Sequence, residues 1–144
     1  MTAEEYLKQY RELNRKAQRY KAEYQTELEK IDAIGSTLAG EPGMPHGTGI
    51  SRKTEDKAIR LADKATRWIG AELEAIEKRQ EIFELIHDID GIEGDILYER
   101  YINLLTWEQI AERLYYSGSG LYYAHQRALD IVERRLSSAG GEDL

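Results

Sequence analysis

Both prolines of this 144-residue chain and five of its twelve glycines lie in one short stretch, "GSTLAGEPGMPHGTG", from Gly35 to Gly49. Proline inside a helix removes an amide donor and clashes with the preceding turn. A helical glycine costs about 1 kcal/mol relative to alanine. Concentrating these residues in one place leaves the sequence on both sides free to form long helices, and it forbids one helix from running through the middle.

Each flank carries helical periodicity. Before the break, Tyr6, Tyr10, Leu13, Ala17, Tyr20 and Tyr24 recur at spacings of three and four, and Leu28 and Ile31 continue the stripe. After it, Ala62, Ile69, Ile76 and Phe83 form one heptad line, flanked by Ile59, Thr66 and Leu73. Such narrow stripes are those of a coiled-coil seam, within a hairpin or between copies. The expected seam therefore comprises Tyr6, Tyr10, Leu13, Tyr20 and Tyr24 with Ile69, Leu73, Ile76 and Phe83. The tyrosines also have the chemistry of a stacking platform for bases, but their heptad spacing favours the seam. Thr54 is a natural N-cap, with Glu55 and Asp56 where the helix dipole favours negative charge. The prediction is an antiparallel hairpin of helices at 2–34 and 54–89 around a loop at 35–53. Helices roughly 50 Å long make a thin pair with little interior, so residues 1–89 are expected to oligomerise or to lean on the C-terminal segment.

From Asp90 the pattern shortens. Asp90 and Glu93 are spaced as a capping box, as are Thr106 and Gln109, and Ser117 can cap the helix that follows. The expectation is an all-α protein: the long hairpin, a three-helix domain at 90–137, and a frayed tail at 138–144.

Within that domain Trp107, Ile110, Ala111 and Leu114 share one helical face. Leu121, Ala124, Ala128 and Ile131 share another, and small Ala111 and Ala128 would let the axes cross closely. The outward face of the second helix presents Ser119, Tyr122, Tyr123, Gln126 and Arg127, and the amides after Ser117 suit a phosphate. A scaffold helix, a tight turn and a polar second helix are what a helix-turn-helix needs.

The stretch "LYERYINLLTWEQIAERLYYSGSGLYYAHQRALDIVERRL", 97–136, resembles region four of bacterial sigma factors, through Thr106, Glu108, Ile110, Ala111, Leu114, Ser117 and Arg127-Ala128-Leu129. With "MPHGTGIS" at 44–51, the whole layout is similar to small phage and prophage helical proteins related to ArpU-type and RinA-type late-gene regulators. The resemblance implies a non-enzymatic transcriptional regulator that contacts double-stranded DNA through Ser117, Ser119, Tyr122, Tyr123, Gln126 and Arg127. It departs from the pattern at Tyr115, where the turn usually has glycine, and in lacking Arg or Lys at the start of the second helix. The alternative is a protein-interaction module, docking on RNA polymerase or a phage protein, whose helix-turn-helix is structural.

The net charge of −7 argues against a broadly basic nucleic-acid binder and restricts any DNA contact to a local patch. The chain has no cysteine, and thus no disulfide or thiolate metal site. His46, His87 and His125 are widely separated, so no metal and no cofactor is expected. The "GEPGMPHGTGIS" loop lacks the Gly-Lys-Ser/Thr ending of a phosphate cradle and is read as a connection or a contact surface. No isolated carboxylate pair suggests acid–base catalysis. No apolar run is long enough to span a bilayer and the N-terminus lacks a signal-like core, so the expected place is the cytoplasm of a bacterial host, with no membrane partner.

Overall fold

The computed structural model describes the backbone of residues 1–39 and 49–141, and side chains for 1–31 and 52–139. Every regular element among the described residues is a helix, with no strand. The order is α1 (Ala3–Ala39), α2 (Gly49–Ile86), α3 (Gly91–Leu97) running on as a π-helical turn (Tyr98–Ile102), α4 (Trp107–Leu114) and α5 (Gly118–Gly141). No helix among the described residues is long and apolar enough to cross a membrane. The helices extend into the expected loop at 35–53 from both sides. Thr54 therefore lies inside α2 rather than capping it. His46 and most of the 44–51 motif fall outside the described residues.

The chain divides into two compact units, Met1–Leu13 with Glu74–Leu144, and Asn14–Leu73. In the second unit α1 and α2 run antiparallel, the Tyr24 and Trp68 rings packed at a 31° tilt with centroids 5.3 Å apart and Glu27 meeting Lys64 at 3.2 Å. Glu27 is buried, and the Lys64 ammonium holds its carboxyl below the ordinary carboxylate range. Ala17 and Ala71 are buried there, small enough to let the helices approach. Tyr20 is half-buried, with the Lys16 ammonium 5.9 Å from its ring centroid.

The first unit holds the larger core: Ala3 and Leu7 of α1, Ile82 and Ile86 of α2, Leu97, Tyr101 and Ile102, and Ala128 and Val132 of α5. A second cluster, Ile96, Ile110, Leu121 and Ala124, lies under α4. The N-terminus of α1 is tied to α5 where the amide of Ala3 donates to Glu133 at 2.9 Å. Gly94 is packed so closely that a Cβ there would lie 1.8 Å from the carbonyl oxygen of Ile89.

The seam on α2 is displaced by one residue from the expected line. Ile69, Leu73 and Ile76 are 53%, 55% and 52% exposed, so they do not pack against α1. The inward positions are Trp68 and Ala71 in one unit, and Ala75 and Ile82 in the other. Phe83, at the edge, packs against the first core, stacked on His87 at 5.2 Å. On α1, Leu7 and Ala3 are the buried centre of their unit, with Tyr6 and Tyr10 flanking them and Leu13 half-buried.

Three local expectations are also corrected. Asp90 is the N-cap of α3, but its side chain makes no capping bond and Glu93 turns instead to Arg127. On α5 the buried residue of the last turns is Val132 rather than Ile131. Ala124, not Ala128, lies in the α4 cluster, while Ala128 belongs to the larger core.

Candidate functional site

The site is assembled around α4. The π-helical turn before it, closed by Asn103 N–H donating to the Tyr98 carbonyl at 3.0 Å, turns Tyr101 and Ile102 into the core. Arg100 is left pointing forward, donating to the Leu105 carbonyl at 2.9 Å and lying 4.8 Å from the Trp107 ring centroid. Leu104 reverses the chain with a left-handed φ of 57°. Thr106 then starts α4 with a full capping box. Its hydroxyl accepts from the Gln109 amide at 3.2 Å, and the Gln109 side chain accepts from the Thr106 amide at 2.9 Å.

α4 ends at Tyr115, which has φ 57° and ψ 42°. The left-handed turn is thus kept without glycine, at a cost of roughly 1–2 kcal/mol. Its ring is 95% exposed, so nothing in the side-chain packing offsets that cost. Ser117 opens α5 by accepting from the Gly120 amide at 3.1 Å. A Cβ at Gly120 would lie 3.1 Å from Ser117 Oγ and 3.2 Å from the Tyr116 ring, so those side chains would have to give way slightly.

α5 gathers the six expected contact residues on its first turns. Ser119, Tyr122, Tyr123 and Gln126 are exposed, and the two tyrosine rings meet edge-on at 5.5 Å. Ser117 is engaged in capping. Arg127 is held by Glu93 at 3.0 Å, and the neighbouring Arg113 is held by Glu99 at 3.1 Å. Glu93 is kept below its ordinary range first by the Arg127 hydrogen bond. The guanidinium groups nearest this face are therefore neutralised locally.

On the buried side of α5 is His125, 8% exposed, whose Nε2 shares a 2.6 Å hydrogen bond with the Tyr101 hydroxyl. Burial lowers the imidazole pKa and raises that of the phenol. Both groups are therefore neutral near pH 7. Trp107 meets the His125 ring edge-on, with centroids 4.6 Å apart at 64°. Beside this corner a cleft of 510 Å³ is lined by Glu4, Trp107, Glu108, Leu121, Tyr122, His125 and Gln126, among others.

No protein family, curated protein or solved structure matches the chain. Assignment of the site therefore rests on its geometry.

Sequence reasoning missed Glu4, Tyr101, Trp107 and His125 as members of one site. Thr106-x-x-Gln109 and Ser117 announce their helix starts locally. By contrast, Glu4 and His125 lie far apart in the chain and share no spacing rule, and only the docking of α1 on α5 brings them together. Among the described residues, no group of His and carboxylates is arranged to hold a metal.

Proposed function

We propose that the protein is a phage-type transcriptional regulator that binds duplex DNA through a helix-turn-helix formed by α4, the Tyr115 turn and α5. In this reading α1 and α2 form a long hairpin used for self-association. The observation that carries it is the turn itself. A boxed α4, a left-handed Tyr115 and a Ser117-capped α5 leave Ser119, Tyr122, Tyr123 and Gln126 on one exposed face. That is the face a recognition helix places in the major groove.

Each residue has a task that suits its chemistry. The amides at the start of α5 suit a phosphate oxygen, as does the Ser119 hydroxyl. Gln126 has the paired donor and acceptor that read adenine, and the rings of Tyr122 and Tyr123 suit thymine methyls. Arg127 reaches a phosphate by exchanging Glu93 for it. Exposed ion pairs contribute only about 0–1 kcal/mol, and release of DNA counterions drives the exchange. A single module with so little positive charge binds weakly, so tight DNA binding needs more than one. The exposed Ile59, Ile69 and Leu73 on α2, with Ile76 further along, are the apolar positions for pairing copies.

The second reading is favoured by a different observation, the pairing of Arg113 with Glu99 and of Arg127 with Glu93 beside carboxylates Glu4 and Glu108. It makes the same face a docking surface for a protein such as RNA polymerase. Selection from random duplex DNA at low salt, with a light-scattering mass for the oligomer, separates the two. Enrichment of a common sequence supports the regulator. A flat selection together with a polymerase complex supports the adaptor.

A further inference from the structure

We infer that the cleft between α1, α4 and α5 is a binding site for a small organic cation, an ammonium or guanidinium group on a short aliphatic stem. At 510 Å³ it falls within the roughly 300–1,000 Å³ usual for small-molecule sites. Its walls suit such a cation. Trp107 and His125 form a corner, their rings 4.6 Å apart at 64°, and Tyr122 supplies a further aromatic wall. Ring faces attract cations through their quadrupole, most strongly in tryptophan. Arg100 lies 4.8 Å from the Trp107 ring centroid but does not line the cleft, so a ligand cation would share this ring with a fixed one. Leu121 gives the aliphatic stem an apolar surface.

The charged groups lining the cleft are both carboxylates, Glu4 and Glu108. Lys8 at 2.9 Å keeps Glu4 ionised, lowering its pKa first through their hydrogen bond. Glu108 is exposed and has no ion-pair partner among the described residues. Lys8 is paired with Glu4, and Arg100 donates to the Leu105 carbonyl, so Glu108 is the lining carboxylate left for a ligand cation. His125, neutral and bonded to Tyr101, adds an aromatic wall without adding competing charge. Gln126 at the rim supplies a carbonyl acceptor for a further ammonium proton.

The inference stands apart from the DNA reading, because it concerns the apo protein and is tested without a duplex. The full-length protein is titrated calorimetrically with cadaverine and with the neutral diol of the same chain length, while the Trp107 indole resonance is followed by NMR. Saturable cadaverine binding that moves Trp107 is expected, with no saturable binding of the diol. Glu108→Gln is expected to weaken cadaverine about tenfold. Glu112→Gln, which removes an exposed carboxylate of α4 outside the cleft, is expected to leave it unchanged. Equal binding of the diol, equal weakening by the two variants, or absence of saturable binding overturns the inference. A protein that fails to bind any duplex leaves each of these outcomes readable.

Discussion

The Tyr101 hydroxyl and His125 Nε2 lie 2.6 Å apart in the interior, joining the π-helical turn to α5. Their bond sits where the two apolar clusters meet, with Tyr101 in one and His125 against Trp107 of the other. It fixes the height of α5 behind the exposed face that carries Tyr122, Tyr123 and Gln126.

This pair makes stability depend on pH. Burial holds the folded His125 pKa below its ordinary value of 6.5, so the unfolded chain takes up the proton first. Its contribution is complete above about 6.5 and is lost as pH falls through the window below that value. The other groups facing the ring are Glu4, which opposes the shift, and Arg100 and Lys8, which reinforce it. Denaturant melts between pH 7.5 and 5 should show this loss in the wild type, and His125→Gln should flatten that part of the profile. The depressed carboxylates Glu4, Glu27, Asp88 and Glu93 add a separate loss only below their ordinary 4.5, 4.5, 3.8 and 4.5.

Replacing Tyr115 with glycine should stabilise the protein. The residue is left-handed at φ 57° and its side chain is 95% exposed, so the substitution relieves strain without losing packing. Allowing for the greater entropy of the unfolded glycine chain, the net gain is about 0.5–1 kcal/mol, read from the denaturation midpoint. A loss of stability would show that Tyr115 makes contacts in solution that this geometry lacks.

Thr106→Ala should cost about 1 kcal/mol, because it leaves the Gln109 amide without its capping oxygen and breaks the box. Thr106→Ser should restore most of that loss in the same melt.

Gly94→Ala should be far more severe. The added methyl would meet the Ile89 carbonyl oxygen, a backbone atom, at 1.8 Å, so α3 must shift against the chain leaving α2. A loss of ~3 kcal/mol, at the upper end for overpacking, is expected in equilibrium unfolding.

The local signals were legible because each is complete within a few residues. Thr106 with Gln109 and Ser117 with the amide of Gly120 need no distant partner, and both form. Which line of α2 faces α1 was not legible, because two adjacent lines compete on that helix. The outward one carries the bulky Ile69, Leu73 and Ile76, whereas the inward one alternates bulky Trp68 and Ile82 with small Ala71 and Ala75. Close approach at Ala71 and Ala75 selects small residues, so side-chain hydrophobicity alone does not mark the line that faces α1. Glu93 shows the reverse failure. Its capping-box spacing is intact, but Arg127, distant in sequence, outcompetes the Asp90 backbone for its carboxylate. The cleft was invisible for the same reason, since Glu4 reaches it only through the docking of α1.

We propose above all that α5 contacts DNA. The most direct test is fluorescence anisotropy of the selected duplex over a range of salt concentrations. It compares the wild type with Tyr123→Ala, Gln126→Ala and Arg127→Ala combined, all exposed positions. The regulator reading predicts wild-type affinity that falls steeply and linearly in log–log salt, and a variant that keeps its fold but binds the selected duplex no better than a scrambled one. Unchanged affinity and salt slope in the variant would contradict it.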